Sequence, residues 1–282
     1  MSKIDSLLRP IDLPLDILET IASYYADIYH EMHHNHHILT ISPVFTNAMR
    51  RNAFACLTVD CRASGGAAGI MLGLEEFFEL MDSSAQMDGL LPILQMVKAV
   101  DLTLVSSAPY VGDPVMIELL EMVARGDFLI SRFTLHLATA SNRPFNNLPQ
   151  TFQQHVIDIL RARHIRHVDL GYLAGLPMAA LFSPYLEVIE LTAVTFSGES
   201  SGPSEYSSRN AEPCLRSLSL RRTNIPFTLP IWGSRNGLDF YRKLRCLYLD
   251  ESDVSHLQGI LDQNDGSLSS FSLRIKGPIS RG

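Results

Sequence analysis

Eight short segments of this 282-residue chain share one spacing, in which the first, fourth and sixth positions are aliphatic or Phe. They are Phe54-Leu57-Val59, Val97-Val100-Leu102, Ile130-Phe133-Leu135, Ile165-Val168-Leu170, Leu186-Ile189-Leu191, Leu215-Leu218-Leu220, Leu244-Leu247-Leu249 and Leu268-Phe271-Leu273. Apolar residues at the fourth and sixth positions, with a polar one between, have the period of a strand that buries one face. Recurrence of such a unit along almost the whole chain is the mark of a stacked array, in which each unit covers the apolar face of its neighbour. A stack of this kind offers a surface and not a reaction centre, so the pattern points toward binding.

The stretches between these segments have helical period, the alternation expected when each unit is one strand plus one helix. Helices are predicted over Leu74 to Met96, Val115 to Arg125, Leu148 to Arg163, Leu176 to Phe182 and Val254 to Gln263. In the third of these, Phe152, Val156, Ile159 and Leu160 make one amphipathic stripe, with Gln153, Gln154, Asp158 and Arg161 on the other face. From Leu102 to Leu273, successive last apolar positions lie 21 to 35 residues apart. The mean suits a leucine-rich horseshoe and the scatter is too wide for a regular one, so the expected fold is α/β, an irregular leucine-rich-repeat solenoid of parallel strands with helices. Segments from Leu186 onward add an apolar residue five positions beyond the last strand leucine, at Phe196, Ile225 and Val254. Three positions beyond it, a regular array carries Asn or Cys to bond the turn backbone. Here Val194, Thr223 and Ser252 stand instead, and Val cannot make that bond, so the turn ladder should be irregular.

Composition narrows the function classes. At 46% hydrophobic and 19% charged, the chain can bury a large core and should fold throughout. A net charge of −7 provides no basic stripe for phosphate neutralisation along a nucleic acid. No apolar run reaches the length of a bilayer span, the longest weakly polar one being Gly65 to Leu74, and Met1 to Pro10 lacks a signal-peptide apolar region. Neither nucleic acid nor membrane is an expected partner. Cys56, Cys61, Cys214 and Cys246 form no CxxC pair, which fits reduced thiols in a cytoplasmic or nuclear setting, with Cys214 and Cys246 as packing residues. Ser197 to Pro213, rich in Ser, Gly and Pro, reads as a mobile loop, and Gly65-Gly66-Ala67-Ala68-Gly69 as a flexible linker into the helix at Leu74. Lys276 to Gly282 follow the last strand directly with no polar-faced helix to close the stack, as expected of an array shortened at its C-terminal end.

Residues 1–60 differ from the units of 61–282. Leu13-Pro14 opens a helix whose apolar face continues through Ile17, Leu18, Ile21 and Tyr25. A second apolar patch, Ile38 to Phe45, leads through Arg50 and Arg51 into the first strand segment. Leu13-Pro14-x-Asp16-Ile17-Leu18-xx-Ile21, then Leu39-x-Ile41-Ser42-x-Val44-Phe45, then Arg51 and Phe54-xx-Leu57-x-Val59, resembles an F-box. It is most similar to the divergent fungal-type F-boxes that run straight into an irregular leucine-rich array, although an insertion, Tyr25 to His37, separates its first helix from its second patch. The resemblance implies the substrate receptor of an SCF-type cullin-RING ubiquitin ligase, with the F-box docked on the Skp-family adaptor and the repeats holding a protein substrate. No chemistry and no cofactor are then expected on this chain. Candidate adaptor anchors are Leu13, Pro14, Ile17, Leu18, Leu39, Ile41 and Val44, an apolar ridge suited to a groove. The strand residues that alternate with the buried ones supply the candidate substrate surface. These are Asp101, Thr103, Thr134, His136, His167, Asp169, Glu190, Ser219, Arg221, Tyr248 and Asp250. A leucine-rich scaffold without a ligase role is the alternative.

A remoter alternative is a zinc metalloprotease, because His30-Glu31-Met32-His33-His34 satisfies HExxH. Five histidines crowd positions 30–37, which makes a five-letter match cheap. Glu75 or Glu76 is the nearest carboxylate at the distance of a third ligand, and neither sits in a matching motif. There is no GxSxG elbow and no phosphate loop. The histidine run reads as a polar loop able to bind metal weakly and adventitiously or to titrate near neutral pH, and no resident metal is expected. Elemental analysis after dialysis against a chelator should accordingly find no stoichiometric zinc; tightly held metal with His30 and His34 as ligands would overturn that expectation.

Overall fold

All eight repeated segments become strands, and the strands pair side by side in chain order. The computed structural model describes residues 47, 50–51, 53–60, 66–85, 91–105, 109–137, 144–181, 183–197, 214–223, 241–250, 257–264 and 266–274. The strands are β1 (Cys56–Asp60), β2 (Ala99–Leu104), β3 (Arg132–Leu137), β4 (His167–Gly171), β5 (Leu176–Pro177), β6 (Val188–Thr192), β7 (Phe196–Ser197), β8 (Ser217–Arg221), β9 (Cys246–Asp250) and β10 (Ser270–Arg274). One eight-stranded sheet runs β1-β2-β3-β4-β6-β8-β9-β10, every pair parallel, while β5 and β7 form a second, two-stranded sheet. The protein is therefore mixed α/β, built on a parallel sheet with few helices.

Register explains the spacing. Leu57, Val100, Phe133, Val168, Ile189, Leu218, Leu247 and Phe271 stand opposite one another across the eight strands. So do Val59, Leu102, Leu135, Leu170, Leu191, Leu220, Leu249 and Leu273. These two rows are the fourth and sixth positions of the repeated segments. They are buried from β2 to β9, and at β10 they open to solvent, with Phe271 46% and Leu273 37% exposed. The first positions, Val97, Ile130, Ile165, Leu186, Leu215 and Leu244, are buried in the same core. At the start of each strand the same bond recurs. The carbonyls of Ala55, Lys98, Ser131, Arg166, Glu187, Arg216 and Arg245 each accept two N–H groups from the following strand, at 2.8 to 3.4 Å. Each acceptor is the second residue of its segment and the donors are the second and third residues of the next.

Among the described residues four helices connect strands: α1 (Gly66–Ala85), α2 (Pro114–Arg125), α3 (Gln150–Arg161) and α4 (Leu257–Gln263). Asp113 caps α2, accepting the Val115 N–H at 2.9 Å, and Pro114 occupies its first turn. Met116, Leu119, Leu120 and Val123 form its buried stripe, and it packs against α1 and α3. The helix ends at Gly126, whose φ of 83° requires glycine, and where a Cβ would meet the His164 ring at 3.0 Å. His164 Nε2 sits 2.9 Å from the Val123 carbonyl, capping one unit with a side chain from the next. In α3 the stripe Phe152, Val156, Ile159 and Leu160 is fully buried. Tyr241 is also buried, and that burial pushes its phenol well above the ordinary value.

Three sequence expectations require correction. The segment Leu176 to Phe182 is not an α-helix: Leu176–Pro177 pairs as β5, and Met178–Leu181 is a single 3-10 turn. Pro177 and a short span between β4 and β6 leave no room for a helix like α2 or α3. Helix α1 begins at Gly66 and ends at Ala85, so Gly66 and Gly69 of the stretch read as a linker lie within it, and Ile93–Gln95 is a separate 3-10 turn. Cys246 is exposed on the sheet and not packed, because it holds the third position of its segment and strand alternation turns that position away from the core. Strand β1 lies within residues 1–60 and is nonetheless a member of the main sheet. The segments 1–46 and 198–213, with the helical and loop readings placed there, lie outside the described residues.

The chain leaves three successive strands by the same turn. Tyr172, Ala193 and Arg222 have φ of 60°, 53° and 52° and each follows two residues after the last strand leucine. Their N–H groups donate to the carbonyls of Thr192, Arg221 and Asp250, each at 2.7 Å, which holds the left-handed backbone in place. Beyond the turn, Val194 and Thr223 are both fully buried. The Thr223 hydroxyl accepts the Val194 N–H at 3.2 Å and donates toward the Leu191 and Arg221 carbonyls, at 3.3 and 3.0 Å. One threonine thus bonds the backbone of two units, and the valine, lacking a polar atom, relies on it. At the last turn Asn264 does comparable work, donating to the Tyr241 and Leu244 carbonyls and accepting from Gly266 and Leu268. Replacing Thr223 by Val, which matches its shape and leaves the Val194 N–H buried and unpaired, should cost about 1–3 kcal/mol in urea unfolding, with Thr223→Ser closer to wild type. A Val variant as stable as the parent would show that the turn does not depend on this hydroxyl.

Candidate recognition surface

Alternation places the remaining strand side chains on the sheet face opposite the core. The middle row runs Thr58, Asp101, Thr134, Asp169, Glu190, Ser219, Tyr248 and Ser272, partner to partner across the sheet. The row toward the strand ends holds Asp60, Thr103, His136, Gly171, Thr192, Arg221, Asp250 and Arg274. His167 lies in the row at the strand starts, level with Arg132, Ser217 and Cys246. All eleven residues expected from the sequence to share a surface are therefore on one face of one sheet.

The face is divided by charge. Its β2 to β6 half carries the carboxylates Asp101, Asp169 and Glu190 with two histidines. His136 Nε2 lies 2.9 Å from Asp169 Oδ1, and His167 Nε2 lies 2.9 Å from Glu190 Oε1, each pair bridging adjacent strands diagonally. The edge of the His136 ring also meets Tyr172, 6.5 Å away at 85°. A carboxylate fixes the orientation of an imidazole, and neither pair is continued to a hydroxyl or thiol by a hydrogen bond among the described residues. Asp101 accepts from the Cys56 thiol at 3.2 Å through Oδ2. Burial is the main cause that pushes the Cys56 thiol above its ordinary value, and the nearby Asp101 carboxylate adds to it. Two polar atoms on this half, Asp101 Oδ1 and Thr134 Oγ1, are buried without a hydrogen-bond partner, and their residues are partners in the β2–β3 register.

The β8 to β10 half is basic. Arg221 Nε and Arg274 Nε approach the same Asp250 carboxylate at 3.6 and 3.8 Å, and the Tyr248 hydroxyl donates to it at 3.4 Å. A pocket of about 400 Å³ opens here, lined by Tyr172, Thr192, Arg221, Arg222, Tyr248, Asp250 and Arg274. Tyr172, Thr192, Arg222 and Arg274 were not expected from the sequence. Arg274 had a legible signal, because it follows the last strand leucine just as Arg221 and Asp250 follow theirs. Tyr172 and Arg222 reach the pocket only through the left-handed turn.

Not all of the expected surface is open. Thr134 is 7% and Asp250 8% exposed, so both are buried, enclosed by larger neighbours on flanking strands. The seven expected adaptor anchors, Leu13, Pro14, Ile17, Leu18, Leu39, Ile41 and Val44, lie outside the described residues, as do His30 and His34. Among the described residues no three His, Cys, Asp or Glu side chains converge as metal ligands, and no helix is long and apolar enough to cross a membrane. Compared with protein-family models, curated proteins and solved structures, the chain matches none.

Gly171 stands beside His136 in the strand-end row, and a Cβ there would lie 2.8 Å from the imidazole Cδ2. Gly171→Ala should push the ring off Asp169, shifting the His136 imidazole signals in NMR while lowering stability by only about 0–1 kcal/mol, since the pair is partly exposed. Unmoved signals would mean that the pair is not positioned against this glycine.

Proposed function

We propose that this chain is the substrate-recognition subunit of an SCF-type cullin-RING ubiquitin ligase. In this reading residues 61–282 form an irregular leucine-rich-repeat solenoid, and residues 1–60 hold a fungal-type F-box that docks on the Skp-family adaptor. The observation that carries it is the coincidence of the eight repeated segments with eight parallel strands paired in chain order and in register. Repetition of the strand-start carbonyl bond at seven junctions and of the left-handed turn in three units gives the units a common backbone as well as a common pattern. Such a ladder presents one continuous polar face, the arrangement by which repeat proteins grip a partner along an extended surface. Asp101, His136, His167, Asp169, Glu190, Arg221, Tyr248 and Asp250 belong to that face and are proposed to contact a protein substrate. The site of action is cytoplasmic or nuclear, where the ligase machinery works, and the chain itself performs no chemistry.

Leu13-Pro14 with Ile17 and Leu18, followed by Leu39, Ile41 and Val44, supplies the apolar ridge for the adaptor groove. A few buried anchors carry most of the energy of such a contact. Full-length chain should capture the Skp-family adaptor in a pull-down, and changing both Leu13 and Ile17 to Asp should weaken capture at least about tenfold, roughly 1.4 kcal/mol. Capture undiminished in the double variant would place the docking surface elsewhere, and no capture by the parent chain would leave a leucine-rich scaffold without a ligase role.

A further inference from the structure

The edge of the sheet where the strands begin carries a run of cations set at strand spacing. Lys98, Ser131, Arg166, Glu187, Arg216 and Arg245 hold the second position of successive segments, and the N–H of each after the first donates to the carbonyl of the one before. Neighbouring strands lie about 4.8 Å apart, so this row spans about 24 Å from Lys98 to Arg245. Arg132 follows Ser131, and Arg163 lies just before β4. The six basic residues Lys98, Arg132, Arg163, Arg166, Arg216 and Arg245 are all exposed, in a chain whose net charge is −7. Glu187 is the acidic member of the row, 4.0 Å from Arg166 Nη1 and 3.5 Å from Arg216 Nη1. Arg163 and Arg166 lie against the Tyr185 ring, 5.8 and 5.9 Å from its centre, and Arg166 also donates to the Tyr185 carbonyl at 3.2 Å. Lys98 Nζ donates to the Gln95 carbonyl at 3.1 Å. Among the described residues, the side chains of Arg132 and Arg245 make no hydrogen bond or ion pair.

We propose that this edge docks an extended acidic segment of a protein partner, its carboxylates meeting Arg132, Arg216, Arg245 and the pair Arg163 and Arg166. An extended chain rises about 3.3 Å per residue, so about seven residues cover the row. Each guanidinium offers a planar fork of N–H donors that matches a carboxylate by two parallel bonds. Glu187 favours a peptide over a nucleic acid. A phosphate backbone is charged at every link and sets a phosphate beside this carboxylate, whereas a peptide can place an uncharged residue there. Bases also need an open ring to stack on, and Tyr185 already carries two guanidiniums. Exposed charges hold a partner weakly one at a time, so affinity comes from the row acting together. This deepens the recognition role proposed above and rests on it, adding a surface at the strand starts to the polar face.

The test is fluorescence anisotropy of the full-length chain with a labelled decapeptide that alternates glutamate and glycine, beside its glutamine counterpart and a labelled decathymidylate. The glutamate peptide should bind, more weakly as salt is raised, and the glutamine peptide should not. Arg216→Gln and Arg245→Gln should each cost about threefold and their combination about tenfold, while Glu187→Gln, which removes the competing carboxylate, should gain about threefold. The two arginines are exposed and their variants should fold, which unchanged circular dichroism will verify, and the gain in Glu187→Gln is a readout that misfolding cannot imitate. No binding of the glutamate peptide at low salt, affinity unchanged in the double variant or in Glu187→Gln, or decathymidylate bound more tightly than the peptide would each overturn the proposal. Adaptor capture depends on Leu13 and Ile17 and not on this edge, so the double arginine variant should keep it. Peptide binding without adaptor capture would therefore remove the ligase reading alone, and adaptor capture without peptide binding would remove this inference alone.

Discussion

Everything in this protein depends on parallel strands meeting in register. Each internal strand gives its fourth and sixth residues to two apolar rows that run the width of the sheet, and burying one such Leu, Val or Phe stabilises by about 1.5–3 kcal/mol. Because side chains alternate, a slip of one residue at any junction would carry that strand's leucines to the polar face and its aspartates and histidines into the core. The recurring carbonyl at each strand start, bonded to two N–H groups of the next strand, ties backbone register to the same step. No single strand buries both rows alone, so each depends on the strands paired beside it. At β10 the rows end with Phe271 and Leu273 still partly in solvent.

The polar face is a by-product of that register and inherits its order. Residues one strand apart become neighbours although 20 to 45 positions separate them in the chain, as with Cys56 and Asp101 or His167 and Glu190. Charge then sorts along the sheet: carboxylates and histidines gather over β2 to β6, and the arginines of the strand-end row, with Tyr248, over β8 to β10. The exposed ion pairs on this face add little to stability, since water and salt screen them. Their effect is to hold side chains in fixed positions on the face. The left-handed turns extend the face past the strand ends and bring Tyr172 and Arg222 to the rim of the basic pocket.

The strands were legible because a period of two, with leucine at the end, survives all variation in the segments between. Helices α2 and α3 were legible for a similar reason, having one clear apolar stripe, a proline or acidic start, and enough chain to form. The span after β4 misled, because Leu176 to Phe182 is apolar and of helical appearance, yet Pro177 and the short distance to β6 force a strand pair and a 3-10 turn. Gly66 and Gly69 misled in the opposite sense: two glycines around two alanines suggest a linker, but packing of α1 against α2 outweighs their low helical propensity. The threonine at position 223 was identified from its place after the strand leucine. Its second task, bonding the valine of the preceding unit, required knowing which turn lies beside it.

The amino-acid sequence alone determined which residues face the core and which face outward, because that choice follows from local alternation and from the cost of burying a charge. It also pointed to the order of the strands, since successive segments of one apolar spacing pair with each other in the sheet. Only the tertiary structure decided which outward residues meet. Partnership across a parallel sheet depends on register between segments joined by connections of unequal length, and on turns whose backbone lies at positive φ without a glycine to announce it. The pairing of His136 with Asp169, the burial of Thr134 and Asp250, and the convergence of Arg221 and Arg274 on one carboxylate are all properties of neighbouring strands, which no single strand encodes.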